Sequence, residues 1–427
     1  MTQDSTIVDE SYVPRSPQSI EEVDVPLPLV EDIILRHLYT RTYCNINSLS
    51  ESLKLPFGVL MIVFHRLRER QLFEVTGMNG NDYRFTLTAK GRHLASERFD
   101  ICSYSGPVPV SVETYFRVVR SQAPRLTFNR EYLKRTFSDL VLTDKLLDQL
   151  GPALISNKAI FLYGPTGNGK TSIATRLGRI FDDTVLIPYA VEFDSQIIVV
   201  YDPSIHEAVD DMDNPDDARW VRCKRPRVFV GGELEQKMLD LEMEESSKTY
   251  AAPLQMKANN GVLVIDDFGR QIVSPHYLLN RWIVPLDSRI DYLTLRYGMK
   301  FALPFEMIVV FSTNLDPTEL TDEAFLRRIQ NKIYVESVSL EDFDQIFRDI
   351  VNKLGIPVEQ GSTSTLRELC LKSGNGILRA CYPADIVDIV RAISTYDGSP
   401  LLINRDNLQR AVNQYFTRTM AVSNDSE

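Results

Sequence analysis

The middle of the chain alternates short apolar runs with segments whose apolar residues recur at helical spacing. The apolar runs cover residues 159–163, 196–201, 261–266, 307–312 and 332–336. Continuous apolar runs of this length are typical of strands buried on both faces of a parallel sheet, and the helical segments between them would form the crossovers. The pattern therefore predicts an α/β core over residues 126–338.

The two ends of the chain have different patterns. From Ser339 onward the apolar spacing is helical throughout, and Ser339 and Asp342 have the spacing of a capping box. These features predict a helical domain over residues 339–420, followed by a tail at 421–427. Residues 1–28 are polar and rich in proline, which predicts a flexible tail.

Residues 29–100 have the pattern of a small α+β domain. Three helical segments precede two extended pieces around a turn at 77–82. The stretch from Tyr83 to Ala95 resembles the wing strand and closing helix of bacterial winged-helix domains. Beyond it, Gly106, Pro107 and Pro109 cannot support a helix, so we expect residues 101–125 to be a linker, with a helical segment from Val112 to Gln122.

Composition narrows the class of protein. The 427 residues are 44% hydrophobic and 25% charged, as in an ordinary globular protein of several domains. A net charge of −11 argues against a surface that binds nucleic acid along its whole length. No apolar stretch is long enough for a membrane span, and the five cysteines show no metal or redox spacing, so we expect a cytoplasmic protein.

The clearest motif directly follows the apolar run 159–163 and directly precedes a helical pattern, which is the context that a P-loop requires. In such a loop the backbone N–H groups surround phosphates, Lys170 binds the β and γ phosphates, and Thr171 offers its hydroxyl to Mg²⁺. The sequence therefore predicts an ATP site. Its residues are Gly164, Pro165, Thr166, Gly167, Asn168, Gly169, Lys170 and Thr171.

Two acids end the apolar run 261–266. Asp266 is best placed to hold Mg²⁺, and Asp267 to orient and activate the attacking water. The following Phe268 and Gly269 complete a string found in protein kinases, but the kinase catalytic loop is absent, so a kinase is excluded.

These motifs and those that follow in order resemble the AAA+ ATPases. Asn314, after the apolar run 307–312, is similar to the sensor-one residue. Arg327 and Arg328 resemble the arginine fingers supplied by a neighbouring subunit, and Arg379 resembles sensor two in the lid. The resemblance implies an α/β fold with a P-loop parallel sheet and a helical lid, working as a homo-oligomeric ring that hydrolyses ATP with Mg²⁺. From the residues alone, the arginine pair could also be a solvated helix end, and Arg379 a surface charge.

The sequence departs from the family at two points. Most hydrolysing members have glutamate where this chain has Asp267, whose shorter side chain predicts slow hydrolysis. Lys170 and Asp266 are also far apart in sequence, which predicts an insertion between them. That insertion carries an acidic run from Glu207 to Asp217 and a basic run from Arg219 to Arg227, for which a subunit interface and a solvated loop are equally good interpretations.

Winged-helix domains commonly read DNA with polar residues at the start of their third helix, but here that start is apolar, from Pro56 to Met61. We therefore favour a protein partner for residues 29–100, with DNA as the alternative. The combined interpretation is an ATPase that remodels or assembles a protein partner. A DNA-associated factor and a slow nucleotide switch remain the alternatives.

Overall fold

The computed structural model describes residues 12–79, 82–209, 215–320 and 326–416. The first folded unit contains helices packed on a small antiparallel sheet with strand order β1-β3-β2. Its elements are α1 (Leu27–Tyr39), β1 (Cys44–Asn45), α2 (Ile46–Leu53), α3 (Phe57–Glu69), β2 (Phe73–Asn79), β3 (Asp82–Leu87) and α4 (Ala89–Ile101).

Local capping explains where these elements begin. The Asn45 side chain accepts a hydrogen bond from the Ser48 N–H at the start of α2, and Thr88 does the same for Gly91 at the start of α4. Asp82, buried at the start of β3, accepts from the N–H groups of Ile46 and Asn47. The expected sequence of three helices and a hairpin is present, with the turn residues 80–81 outside the described residues.

The central region carries most of the strands. Its elements are β4 (Val110–Ser111), α5 (Val112–Ser121), α6 (Arg130–Thr136), α7 (Asp144–Ile155), β5 (Ile160–Tyr163), α8 (Lys170–Arg176), β6 (Thr184–Pro188), β7 (Ala190–Phe193), β8 (Gln196–Val199), β9 (Trp220–Lys224), β10 (Arg227–Val230), β11 (Glu242–Glu244), β12 (Thr249–Ala251), α9 (Leu254–Lys257), β13 (Val262–Ile265), α10 (Pro275–Ser288), β14 (Ile290–Thr294), β15 (Lys300–Pro304), β16 (Ile308–Thr313), α11 (Pro317–Leu320) and β17 (Asn331–Tyr334).

A parallel sheet forms the core of this region, with strand order β10-β13-β16-β5-β17 among the described residues. Alternate residues face two different cores. Phe161 and Ile265 pack with Trp282 of α10, whereas Ile160 and Val264 pack on the opposite face with α7 and α8. Burial on both faces explains the continuous apolar runs, and the expected α/β class with a P-loop parallel sheet is confirmed.

One of the expected strands was assigned to the wrong sheet. Residues 196–199 do form a strand, β8, but it lies in a mixed sheet with order β11-β12-β8-β7-β4. The parallel sheet instead uses β10, an edge strand whose Arg227 and Phe229 are exposed, so it lacks the continuous apolar run of the central strands. The Lys170–Asp266 interval therefore contains an inserted β-rich unit, made of β6–β9, β11 and β12, which shares one core with the β14–β15 hairpin.

Part of the expected tail and linker belongs to this packed structure. Val23 is fully buried against the N-terminal unit, and Val110, Tyr115 and Val118 are buried in the core of the inserted unit. The helix expected from Val112 is present as α5, but with β4 it packs into this core instead of forming a linker, and Tyr12 of the expected tail packs against the same core. Residues 1–11 and 417–427, which include the other expected tail, lie outside the described residues.

The inserted unit and the N-terminal unit are joined by a buried arginine. Arg219, 3% exposed, forms an ion pair with Asp217 at 2.8 Å and with Asp24 at 3.1 Å. Its guanidinium also donates to the carbonyl oxygens of Val23 and Pro109. Because one side chain binds the tail, the supposed linker and the insertion, the two units are fixed to each other.

Several charged side chains of the two runs form ion pairs within this chain. Glu207 accepts from Lys224 at 2.5 Å, and Arg225 binds Asp183 at 2.6 Å. Asp210, Asp211 and Asp213 lie outside the described residues. The described pairs favour an internal role for these charges over a subunit interface.

Beyond Ser339 the described chain is helical, as expected, with α12 (Leu340–Leu354), α13 (Ser362–Ser373), α14 (Tyr382–Asp397) and α15 (Arg405–Tyr415). Ser339 caps α12 by accepting from the Asp342 N–H. Within the described residues no single helix is long and apolar enough to cross a membrane; α2 and α3 meet the length and composition criteria only together, as a pair bent by 114°.

Candidate functional site

The P-loop connects β5 to α8 at the carboxyl edge of the parallel sheet. Gly164, Gly167 and Gly169 have φ angles of 138°, 79° and 84°, which side chains rarely allow. A Cβ atom on Gly164 would also collide with the carbonyl oxygen of Val335, which follows β17. These glycines are therefore required by the path of the loop itself.

Lys170 is the first residue of α8 and is only 8% exposed. Its ammonium group donates to the carbonyl oxygens of Gly164 at 2.8 Å and Pro165 at 2.9 Å. Burial lowers the pKa of Lys170, and the nearby carboxylates of Asp266 and Asp267 act in the opposite direction. The loop therefore holds a desolvated cation through its own carbonyl groups.

Thr171 and Asp266 meet where β13 ends. The Thr171 hydroxyl donates to Oδ2 of Asp266 at 2.7 Å, and the Asp266 N–H donates to the carbonyl oxygen of Val230 at 2.8 Å. A hydroxyl and a carboxylate are hard oxygen ligands of the kind that Mg²⁺ prefers. No group of three or more His, Cys, Asp or Glu side chains in the described ranges could hold a metal ion, so Mg²⁺ at this place would also need oxygen atoms of the nucleotide or water.

Asp267 is exposed and has a φ of 49°, in the left-handed region. Aspartate and asparagine enter this region more readily than other residues that carry a side chain. The backbone thus supplies a reason for aspartate at a position where the resembling family usually has glutamate.

Among the buried polar side-chain atoms that have no partner in the described structure, three lie on segments that the sequence marked. They are Oδ1 of Asn168 in the P-loop, Oδ1 of Asn314 after β16, and Nε of Arg379. An unpaired buried polar atom costs about 1–3 kcal/mol, so such atoms suggest a missing ligand or water.

The helical domain contacts the P-loop directly. The Cys381 N–H donates to the carbonyl oxygen of Gly167 at 3.0 Å, and a Cβ atom on Gly167 would lie 2.7 Å from Cys381 Sγ and 3.2 Å from Arg379 Cδ. Arg379 therefore lies beside the P-loop. Burial raises the pKa of the Cys381 thiol, which keeps it neutral.

The two candidate finger arginines lie away from these residues. Arg328 donates to Asp287 of α10 at 2.8 Å, whereas Arg327 is exposed and makes no hydrogen bond or ion pair with the described part of the chain. Residues 321–325, the start of the candidate finger segment, are outside the described residues.

A cavity of about 590 Å³ lies between the core and the helical domain. Its polar lining includes the P-loop from Thr166 to Thr171, together with Asp266 and Asp267. Apolar side chains also line it from both domains, namely Leu140, Val141, Leu142, Val338, Ile346 and Ile350. A cavity with charged and apolar linings fits a ligand that has both phosphate groups and a flat apolar ring.

The sequence did not mark the 140–142 segment or Cys381 as part of the site. Residues 140–142 lack a motif, because an apolar residue before a helix has the same pattern whether it lines a cavity or a core. For Cys381 the available signal was Pro383. Proline favours the first turn of a helix, which places the start of α14 directly after Cys381.

One family model and several solved structures match parts of this chain. A family model described as a domain of unknown function (DUF8689) matches residues 339–414, the helical domain. No curated protein matches the chain. Solved structures with some likeness include the RuvB Holliday junction branch migration motor of Thermotoga maritima, at 14% identity and a TM-score of 0.35, covering 69% of this chain and 72% of that chain.

Two mutants of the same RuvB protein have TM-scores of 0.36, with 13% and 14% identity. They cover 68% and 69% of this chain and 73% of their own.

Proposed function

We propose that this chain is an ATPase of the AAA+ type, which binds ATP and Mg²⁺ between the parallel sheet and the helical domain. The observation that carries the proposal is the meeting of Lys170, Thr171 and Asp266 at one edge of the sheet, beside a cavity closed by the Cys381–Gly167 contact. The apolar residues of the cavity suit an adenine ring, and the P-loop suits the phosphates.

The proposed chemistry assigns one task to each side chain. Lys170 exchanges its bonds with Gly164 and Pro165 for bonds to phosphate oxygens. Asp267 accepts a hydrogen bond from the attacking water and orients it, and Asn314 uses its unpaired Oδ1 to fix that water. Thr171 and Asp266 would hold Mg²⁺, which supplies positive charge against the phosphates.

Arg327 is the better candidate for an arginine finger, because Arg328 is held by Asp287 of its own chain. Since Arg327 does not line the cavity of its own chain, its action requires a second subunit. The proposal therefore includes a homo-oligomer, with a ring as the arrangement that the family resemblance implies.

We further propose that the N-terminal unit binds a protein partner, which the ATPase remodels or assembles. Phe57 and Ile62 on α3 are 44% and 50% exposed, so the helix that reads DNA in winged-helix proteins has apolar side chains on its open face. DNA is the second candidate partner, supported by the exposed Arg68 near the end of α3. A slow nucleotide switch is a further alternative, supported by the short side chain of Asp267.

The test of the ATPase is phosphate release by the full-length protein with ATP and Mg²⁺, compared with Lys170→Ala. Turnover that depends on Lys170 supports the proposal. Equal phosphate release by both proteins would contradict it.

A further inference from the structure

A single amide side chain spans the turn that contains Asp267. Nε2 of Gln271 donates to the carbonyl oxygen of Asp266 at 2.7 Å, and Oε1 of Gln271 accepts from the Gly269 N–H at 2.8 Å. These two backbone groups lie on either side of Asp267. Gln271 thus closes the turn with one donor and one acceptor of the same planar group.

The turn needs this closure because its backbone is unfavourable. Asp267 and Gly269 have φ angles of 49° and 105°, so two residues out of three are left-handed. Such conformations persist only where the surroundings determine them. Phe268, between them, is fixed to the sheet, since its N–H donates to Ser312 and its carbonyl oxygen accepts from Thr313.

We propose that Gln271 is a positioning residue for hydrolysis, which sets the direction of the Asp267 carboxylate by holding the backbone on both sides of it. The inference rests on the proposed ATPase function and adds to it a residue outside the motifs. Gln271 does not line the cavity and touches no reacting atom, so it acts only through Asp266 and Asp267. It should influence turnover and leave nucleotide binding unchanged.

The required chemistry is specific to an amide. Methionine at position 271 has nearly the same length but neither donates nor accepts as an amide does, and glutamate can accept from Gly269 but cannot donate to Asp266. Because a displacement of about 1 Å can reduce a rate by ~10²-fold, we expect Gln271→Met and Gln271→Glu to lower kcat by roughly 10- to 100-fold. The KM for ATP should not change.

The experiment measures kcat and KM of the full-length protein for ATP, and the affinity for a fluorescent ATP analogue. The variants are Gln271→Met, Gln271→Glu and the control Ile272→Ala, whose side chain is 71% exposed on the same loop. A lower kcat in both Gln271 variants, with analogue binding and KM retained, supports the inference. Retained analogue binding also shows that the variants are folded at the site.

Two results would overturn the inference, and they have different consequences. Wild-type kcat in Gln271→Met would overturn the role of Gln271 alone, because wild-type hydrolysis would still stand. Wild-type turnover no higher than that of Lys170→Ala would overturn both the proposed ATPase and this inference.

Discussion

The hydroxyl of Thr171 and the carboxylate of Asp266 lie 2.7 Å apart, although 95 positions separate them in the chain. The parallel sheet creates this contact, because β5 and β13 both end at the same edge, on either side of β16. The sheet therefore sets the distances between the site residues, and a small number of side chains supply the chemical groups.

Lys170→Ala should abolish ATP binding or reduce it severely, because the positive charge that offsets the β and γ phosphates is removed. Binding of a fluorescent ATP analogue measures the effect. Lys158→Ala is the matched control, since Lys158 is exposed and bonds to Gln330 away from the cavity. Full nucleotide affinity in Lys170→Ala would end the P-loop assignment.

Asp267→Asn should bind ATP normally but almost stop hydrolysis, because asparagine keeps the left-handed backbone and loses the carboxylate. Asp267→Glu should keep or raise the rate, because its longer side chain brings the carboxylate closer to the attacking water. Steady-state phosphate release measures both rates. Wild-type turnover in Asp267→Asn would show that another acid activates the water.

Arg327→Ala and Asp267→Asn should each be nearly inactive alone and recover activity when mixed. In a mixed oligomer, some sites combine an intact Asp267 with Arg327 from the neighbouring subunit. Phosphate release across a titration of the two variants measures the recovery. If the mixture stays as inactive as its components, Arg327 does not act across an interface.

The intact protein should bind duplex DNA weakly and without sequence preference, with affinity falling steeply between about 50 and 200 mM salt. Fluorescence anisotropy of labelled duplexes tests this directly. Phe57→Asp with Ile62→Asp should leave ATP turnover unchanged, because both side chains are exposed and neither lines the cavity at the P-loop. Sequence-specific binding that survives about 200 mM salt would instead make DNA the favoured partner.

Arg219→Met should destabilise the protein by about 3–5 kcal/mol, because it leaves Asp217, 1% exposed, buried without its partner. Denaturant unfolding measures the loss. Lys224→Met, on the adjacent strand β9, is the control, because its partner Glu207 is 55% exposed and the substitution leaves no buried carboxylate. An equal effect of the two substitutions would show that the buried pair contributes little.

The sequence predicted those features that depend on local pattern or motif. Apolar runs predicted the strands that precede Asp266 and Asn314. Helical spacing and the cap at Ser339 predicted the helical domain. Strand β8 was given to the wrong sheet, because a short apolar run records burial but not its neighbours. The φ of Asp267 and the role of Gln271 depend on hydrogen bonds to the sheet, which no pattern of residue types records.

Arg219 connects the N-terminal unit to Asp266 through a short stretch of chain. Arg219 directly precedes β9, and only Arg225 and Pro226 separate β9 from β10, whose Val230 accepts the Asp266 N–H. Arg225 anchors that corner through Asp183 and the carbonyl oxygen of Gln122. Because only two residues separate these strands, a displacement of the N-terminal unit should be coupled mechanically to the position of Asp266.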